Sequence, residues 1–247
     1  MSKFGEVVTT KKGDSNVKFG SDFVKLTSDH QTILRILDEQ PEVFWSHYIP
    51  KGHRAFPSTN AGKGMSFACP GMDTCPICAW NKKQKEDNPG TKDTISSRRL
   101  YTFNVLDRTP VVICSNCEAE HYKIDSNFPE VCDCGNDLSE AEEKPANKIK
   151  ILQKGKRIYE QLVELESEPS YGDLLTYDIK FNTRGTGKDS MTVCMPMQKS
   201  NIKLNEAVGE DWKEQLYDVP KFIAPLSVEK INRILSGEDY YKVAKES

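Results

Sequence analysis

No uninterrupted apolar run in this 247-residue chain approaches the roughly 18 residues that a membrane-spanning helix needs. The amino terminus, MSKFGEVVTTKKGDSNVKFG, also lacks the apolar core of a signal peptide. The expectation is a cytoplasmic protein with no membrane partner. An excess of positive charge is missing too. With 34 lysines and arginines against 37 acids the net charge is −3, so any nucleic-acid surface must come from local segregation of charge. Nothing longer than a cysteine pair repeats. What is present is cysteine: eight residues, most of them tightly grouped. In a reducing compartment such groups more often hold a metal than form disulfides. An apolar fraction of 37% suffices for a packed core, and the length suits one large or two small domains.

Residues 1–20 are polar, rich in Lys, Thr and Gly, and without helix or strand period, which predicts a mobile arm. From Phe23 the pattern alternates around TILRIL and EVFWSHYI, two strands broken at Pro41 that read as a first hairpin. AWNKKQKEDN after Cys78 predicts a short helix ending before Pro89-Gly90. RRLYTFNVLDR returns to strand alternation, with Tyr101, Phe103 and Val105 on one face. NKIKIL predicts a strand leading into an amphipathic helix over 156–165. DLLTYDIKFNTRGTGKDSMTVCMPM predicts two strands joined at Gly185 and Gly187. The segment 205–247 is helical in pattern, with Val228, Ile231, Ile234 and Leu235 at helix spacing.

Cys114, Cys117, Cys132 and Cys134 form a CxxC and a CxC, and two thiolate pairs on short turns can close a tetrahedron around zinc. With four sulfurs such a site is structural. Cys69, Cys75 and Cys78 supply three thiolates in CPGMDTCPIC, so that site is either completed by a histidine or open to substrate. His47 and His53 both precede it within reach of a returning hairpin, whereas His30 and His121 are less conveniently placed. The HxE motif of zinc deaminases is missing at both His47 and His53. GTGKDS at 185–190 lacks the first glycine of a phosphate loop and reads as a hairpin turn. No acid/base pair supports an enzyme.

Between Asn147 and Tyr159 the chain carries Lys148, Lys150, Lys154, Lys156 and Arg157 and no acid. Lys82 and Lys83 follow the first cysteine cluster, Arg98 and Arg99 open the aromatic strand, and Arg184 and Lys188 flank the hairpin tip. Interleaved with Trp45, Tyr48, Tyr101, Phe103 and Tyr159, these cations fit binding of a single strand, with charge for phosphates and ring faces for bases.

In chain order, FVKL, ILRIL, the SHY histidine, DTCPICAWNKK, RRLYTFNVLDR and GKRIYEQL resemble the single-stranded DNA-binding (helix-destabilising) proteins of T-even and related tailed phages. The resemblance runs from about Phe23 to Met197, and CPIC with the basic helix and aromatic strand after it is its most specific part. It implies an OB-type barrel with a zinc subdomain held by one histidine and three cysteines. It also implies a non-enzymatic protein that coats single-stranded DNA in replication, recombination and repair, in the host cytoplasm. Cys69, Cys75 and Cys78 match the three cysteines and His47 best matches the histidine, with His53 as the alternative. The cluster at 114–134 is extra to that pattern. The family's acidic carboxy terminus recruits replication partners; residues 205–247 here hold nine acids and six bases, a weaker tail of the same sign. Lys3, Lys11, Lys12 and Lys18 make self-association on DNA through the amino-terminal arm a further expectation.

The expected protein is thus mainly β (α+β). A core over 21–204 contains a zinc subdomain at 47–88 and an inserted zinc ribbon at 111–138, followed by a helical tail over 205–247. It should hold two structural zinc ions.

Overall fold

The computed structural model describes residues 22–26, 28, 31–50, 52–53, 64–122, 130–139, 141–185, 190–200 and 202–245. The expected arm at 1–20, His30 and Lys188 lie outside these. Ten strands are described. The first four are β1 (Thr32–Ile36), β2 (Glu42–Ile49), β3 (Met65–Ala68) and β4 (Ser96–Asp107). β5 (Pro110–Ile113), β6 (Glu120–Tyr122) and β7 (Glu143–Pro145) follow, then β8 (Lys148–Gly155), β9 (Tyr177–Arg184) and β10 (Met191–Lys199). The α-helices are α1 (Pro76–Asp87), α2 (Lys156–Ser167), α3 (Leu204–Val208), α4 (Val219–Phe222), α5 (Val228–Leu235) and α6 (Tyr240–Lys245). The protein is therefore mainly β with helices between and after the strands, as the sequence pattern predicts.

The chain divides into two compact units, and β4 contributes its first residues, to Tyr101, to one and the remainder to the other. The first unit contains Glu42–Tyr101 and Asp218–Ser247. β2 pairs antiparallel with β3, with His47 opposite Phe67 and Ile49 opposite Met65. Its core joins Ile49, Met65 and Phe67 of the strands to Ile77 of α1 and to Ile231, Ile234, Tyr240 and Val243 of α5 and α6. Ser227 caps α5 by accepting from the Lys230 amide at 3.2 Å, and Ile231 and Ile234, three apart, then fall on the buried stripe. Residues 218–245 are consequently part of the unit that holds the first cysteine cluster, where the sequence had suggested a separate tail.

The second unit contains Phe23–Pro41 and Thr102–Tyr217. β1 lies between β4 and β9, both antiparallel, with Leu34 opposite Asp107 on one side and Ile179 on the other. The hairpin expected between TILRIL and EVFWSHYI is therefore not made. β10 pairs with β9, β8 pairs with β4, and among the described residues no pairing closes the strands into a barrel. α2 buries Ile158 and Leu162, one turn apart, and its Gln161 side chain donates to Thr192 O at 3.1 Å and accepts from Cys194 N at 2.9 Å. A side-chain amide so covers the middle of the β10 edge that another strand would otherwise occupy. β5, β6 and β7 form a separate three-stranded sheet that carries the second cysteine cluster.

Candidate metal centres and nucleic-acid surface

The first cluster is assembled from three short pieces of backbone. His47 projects from β2, and Cys69 follows β3 immediately, its amide donating to Trp45 O at 2.8 Å. The chain then turns at Gly71, whose φ of 128° suits glycine and whose carbonyl accepts from the Thr74 and Cys75 amides. Cys75 stands at the N-cap of α1 with Pro76 after it, where a missing N–H costs nothing, and Cys78 sits in the first helical turn. His47 Nε2 is 3.3 Å from Cys78 Sγ, and Cys69 Sγ is 3.8 Å from Cys78 Sγ. All four ligand atoms lie within 4.8 Å of one another. Metal–sulfur bonds of about 2.3 Å in a tetrahedron place neighbouring sulfurs about 3.8 Å apart, so the set fits one ion.

His53 is elsewhere: its ring lies edge-on to Trp80 at 5.4 Å and its Nε2 is 3.9 Å from Asp93. The alternative left open by sequence is thereby settled in favour of His47. Burial holds the His47 imidazole below its ordinary pKa, in the neutral form that ligates metal. Burial, reinforced by the neighbouring Cys75 sulfur, pushes the Cys78 thiol up to about 12. Such thiols become thiolates only in exchange for a cation.

The second cluster is Cys114, Cys117, Cys132 and Cys134, again within 4.8 Å. Cys114 directly follows β5, and the knuckle closes when the Glu118 amide donates to Cys114 O, with Glu118 held at a φ of 58°. The CxC turn is matched by Gly135 at a φ of 86°, its amide donating to Cys132 O. Sulfur separations of 3.6 Å (Cys114 to Cys134) and 3.5 Å (Cys117 to Cys132) again approach the tetrahedral edge. The Asn136 amide, with the Asn116 side chain, draws the Cys134 thiol down to about 6.

Two polar neighbours of this cluster were given no role at its sulfurs from sequence. His121 Nε2 is 3.2 Å from Cys132 Sγ, and Asn116 Nδ2 is 3.6 Å from Cys134 Sγ, the kind of outer donors that steady a thiolate ligand. His121 reaches the cluster because β5 and β6 pair with Val112 opposite it, a register no local motif announces.

The candidate nucleic-acid contacts fall into three groups. On the first unit Trp45 and Tyr48 are 43% and 44% exposed, and the Arg99 guanidinium lies 5.1 Å from the Trp45 ring centroid. Arg98, Lys82 and Lys83 are exposed there as well. On the second unit Lys156, Arg157 and Arg184 are exposed, and Lys154 and Tyr159 are half-buried. The third group is withdrawn from solvent or already committed. Tyr101 and Phe103 are buried, because β4 is covered on both faces from Leu100 onward. Lys150 is bound to Asp107 at 2.7 Å and to the Tyr122 hydroxyl at 2.9 Å, and Lys148 pairs with Glu120. The ridge read from 147–159 is narrower than its lysine count.

Gly64 determines where the Tyr48 ring lies. A Cβ at this position would collide with the Tyr48 hydroxyl and ring. Gly64→Ala is expected to leave thermal stability nearly unchanged, since an exposed ring can swing aside, yet to move Tyr48. If that ring stacks on a base, oligo(dT) affinity drops by up to about 1 to 3 kcal/mol. Titration by fluorescence anisotropy checks this, and unchanged affinity removes Tyr48 from the contact set.

No protein-family model matches the chain, and comparison with curated proteins found no match.

Proposed function

We propose that this chain is a single-stranded DNA-binding protein, without catalytic activity, whose two clusters hold structural zinc. The observation that carries the reading is the exposed Trp45 ring with the Arg99 guanidinium beside it, on the strand that also supplies His47. A ring face for a base and a cation for the adjoining phosphate are the two elements that sequence-independent single-strand binding requires. Four-ligand Cys/His sets favour zinc, and a filled tetrahedron leaves no position for a reactive water. The second unit supports an OB-type reading. Apart from the three-stranded ribbon sheet it has five strands, β1, β4, β8, β9 and β10, with α2 between the third and fourth, as a partly open five-stranded barrel would require. In this reading the protein coats DNA during replication, recombination and repair of a tailed phage, in the host cytoplasm, with self-association and replication proteins as further partners.

Quenching of tryptophan fluorescence by oligo(dT) tests it. Binding should weaken steeply with salt, the slope of log K against log salt being about −0.7 per phosphate neutralised. Trp45→Phe should abolish most of the quench, leaving Trp80 and Trp212. Salt-independent binding, a preference for duplex, or a full quench in the variant would sink the reading.

A second reading concerns the ribbon alone. Glu118, Glu130, Asp133 and Asp137 are exposed there, and that negative charge repels phosphate. The ribbon is accordingly assigned to a protein partner, and a pull-down lost on ribbon deletion but retained in Lys148, Lys150 and Lys154 alanine variants would separate the two roles.

A further inference from the structure

β10 turns apolar side chains outward. Met191, Val193, Met195 and Met197 alternate along it and are 41%, 41%, 37% and 38% exposed, while Cys194 between them is buried. A strand with one face on the core ordinarily shows polar residues on the other. Here the register sets a basic row beside the apolar one: Met191 opposite Arg184, Val193 opposite Asn182, Met195 opposite Lys180. Ile33 of β1 lies opposite Lys180 on its other side. Directly opposed residues of an antiparallel pair share a face, with Cβ atoms about 4.5–5.5 Å apart. Unlike Lys148 and Lys150, neither Lys180 nor Arg184 is ion-paired among the described residues.

We propose that this face docks an acidic amphipathic segment of a partner protein. Its apolar side chains rest on Met191, Val193, Met195 and Met197, and its carboxylates meet Lys180 and Arg184. The row contains no aromatic ring, so it offers a base no stacking surface, whereas flexible thioethers adapt well to the side chains of a protein partner. Strand addition is disfavoured because Gln161 occupies backbone groups at Thr192 and Cys194 on the open edge. A second copy, face to face, would set Lys180 and Arg184 against like charges. An acidic, apolar partner satisfies both rows at once.

The test uses the full chain with 13C-labelled methionine methyls, of which there are six: Met1, Met65, Met72, Met191, Met195 and Met197. The probe is a short synthetic peptide of leucine and glutamate in amphipathic order, with a lysine-for-glutamate version as control. The acidic peptide should shift the Met191, Met195 and Met197 resonances and leave Met65 and Met72 in place, and the control should shift none. Combining Lys180→Glu with Arg184→Glu should weaken the acidic peptide by about tenfold or more, since two attractions become repulsions. The proposal is overturned if the peptide moves Met72 as much as the β10 methyls or binds the charge-reversed chain equally well. It is also overturned if oligo(dT) rather than peptide moves those methyls, which would make the face a nucleic-acid surface. The Trp45 quench reads a different unit, so either reading can fail without the other.

Discussion

Removal of the metal from the His47, Cys69, Cys75 and Cys78 centre should collapse the first unit. Structural zinc contributes about 10–16 kcal/mol of apparent binding energy in small domains near pH 7, comparable with the whole stability of an ordinary domain at about 5–15 kcal/mol. The cluster also anchors the core: Cys75 is buried among Ile77, Phe67 and Ile231, with Cys69 and Cys78 packed at its margin. Phe67 and Tyr240 meet edge-on at 5.7 Å, so loss of the metal knot should loosen α6 as well as β3. The expected result of EDTA treatment is release of two zinc ions per chain and a fall in Tm of at least about 10 °C, at about 2–4 °C per kcal/mol for a protein of this size. Cys75→Ser should reproduce the loss with one ion remaining. A metal-free chain that melts within a few degrees of the loaded one would show that the apolar core suffices alone.

The same centre should be acid-sensitive, and the sign follows from the thiols. Metal binds thiolate and expels a proton, so the stabilisation is present at high pH and lost as pH falls. Cys78, with its thiol pushed up to about 12, must surrender a proton at neutral pH. Cys132 of the second centre must do the same, its thiol also lying at about 12, while Cys134 beside it is drawn down to about 6. Between pH 8 and 6.5 or so, zinc affinity should accordingly fall at both centres. Competition with a chromophoric chelator, in Cys75→Ser and Cys117→Ser chains that keep one site each, measures the two slopes. A centre whose affinity does not fall with pH would contradict thiolate ligation there.

The second large effect lies in the interior of the other unit. Arg35 and Asp178 are both buried, with Arg35 Nε donating to Asp178 Oδ1 at 2.8 Å. The guanidinium also donates to Leu175 O at 3.3 Å and to Ser200 Oγ at 2.7 Å, and Arg108 Nε stands 3.6 Å from Asp178 Oδ2. Removing one partner of such a pair leaves an uncompensated charge out of water, which costs about 3–5 kcal/mol. Asp178→Ala is therefore expected to lower Tm by roughly 6–20 °C. Arg35→Met combined with Asp178→Leu should recover much of that, because two well-packed apolar side chains carry no desolvation cost. A single variant that loses less than about 1 kcal/mol in thermal unfolding would mean that water or Arg108 rescues the site.

Both cysteine clusters were legible because their ligands come in pairs a few residues apart, a spacing that short turns convert directly into geometry. The fourth ligand of the first cluster was not, since His47 and His53 are near neighbours in the chain. The pairing of His47 with Phe67, just before Cys69, chose between them. The lysines at 148 and 150 show the opposite failure. Their local sequence is free of acid, but Asp107 and Glu120 arrive from other strands and neutralise them. Likewise Pro41 correctly marks a break between two strands, while the hairpin inferred from it gives way to pairing of β1 with β4 and β9, strands distant in sequence.

By itself, then, the sequence determined the longer strands, the helices after Cys78 and Gly155, and the two cysteine groupings, all of which depend on periodicity or spacing within some twenty residues. The tertiary structure alone decided which histidine joins the first cluster, that Tyr101 and Phe103 are core while Trp45 and Tyr48 are surface, and that residues 218–245 complete the unit that carries that cluster. The reason is physical. Exposure and charge neutralisation depend on which distant segments pack together, and those partnerships are set by burial summed over the whole unit, which no local window of sequence contains.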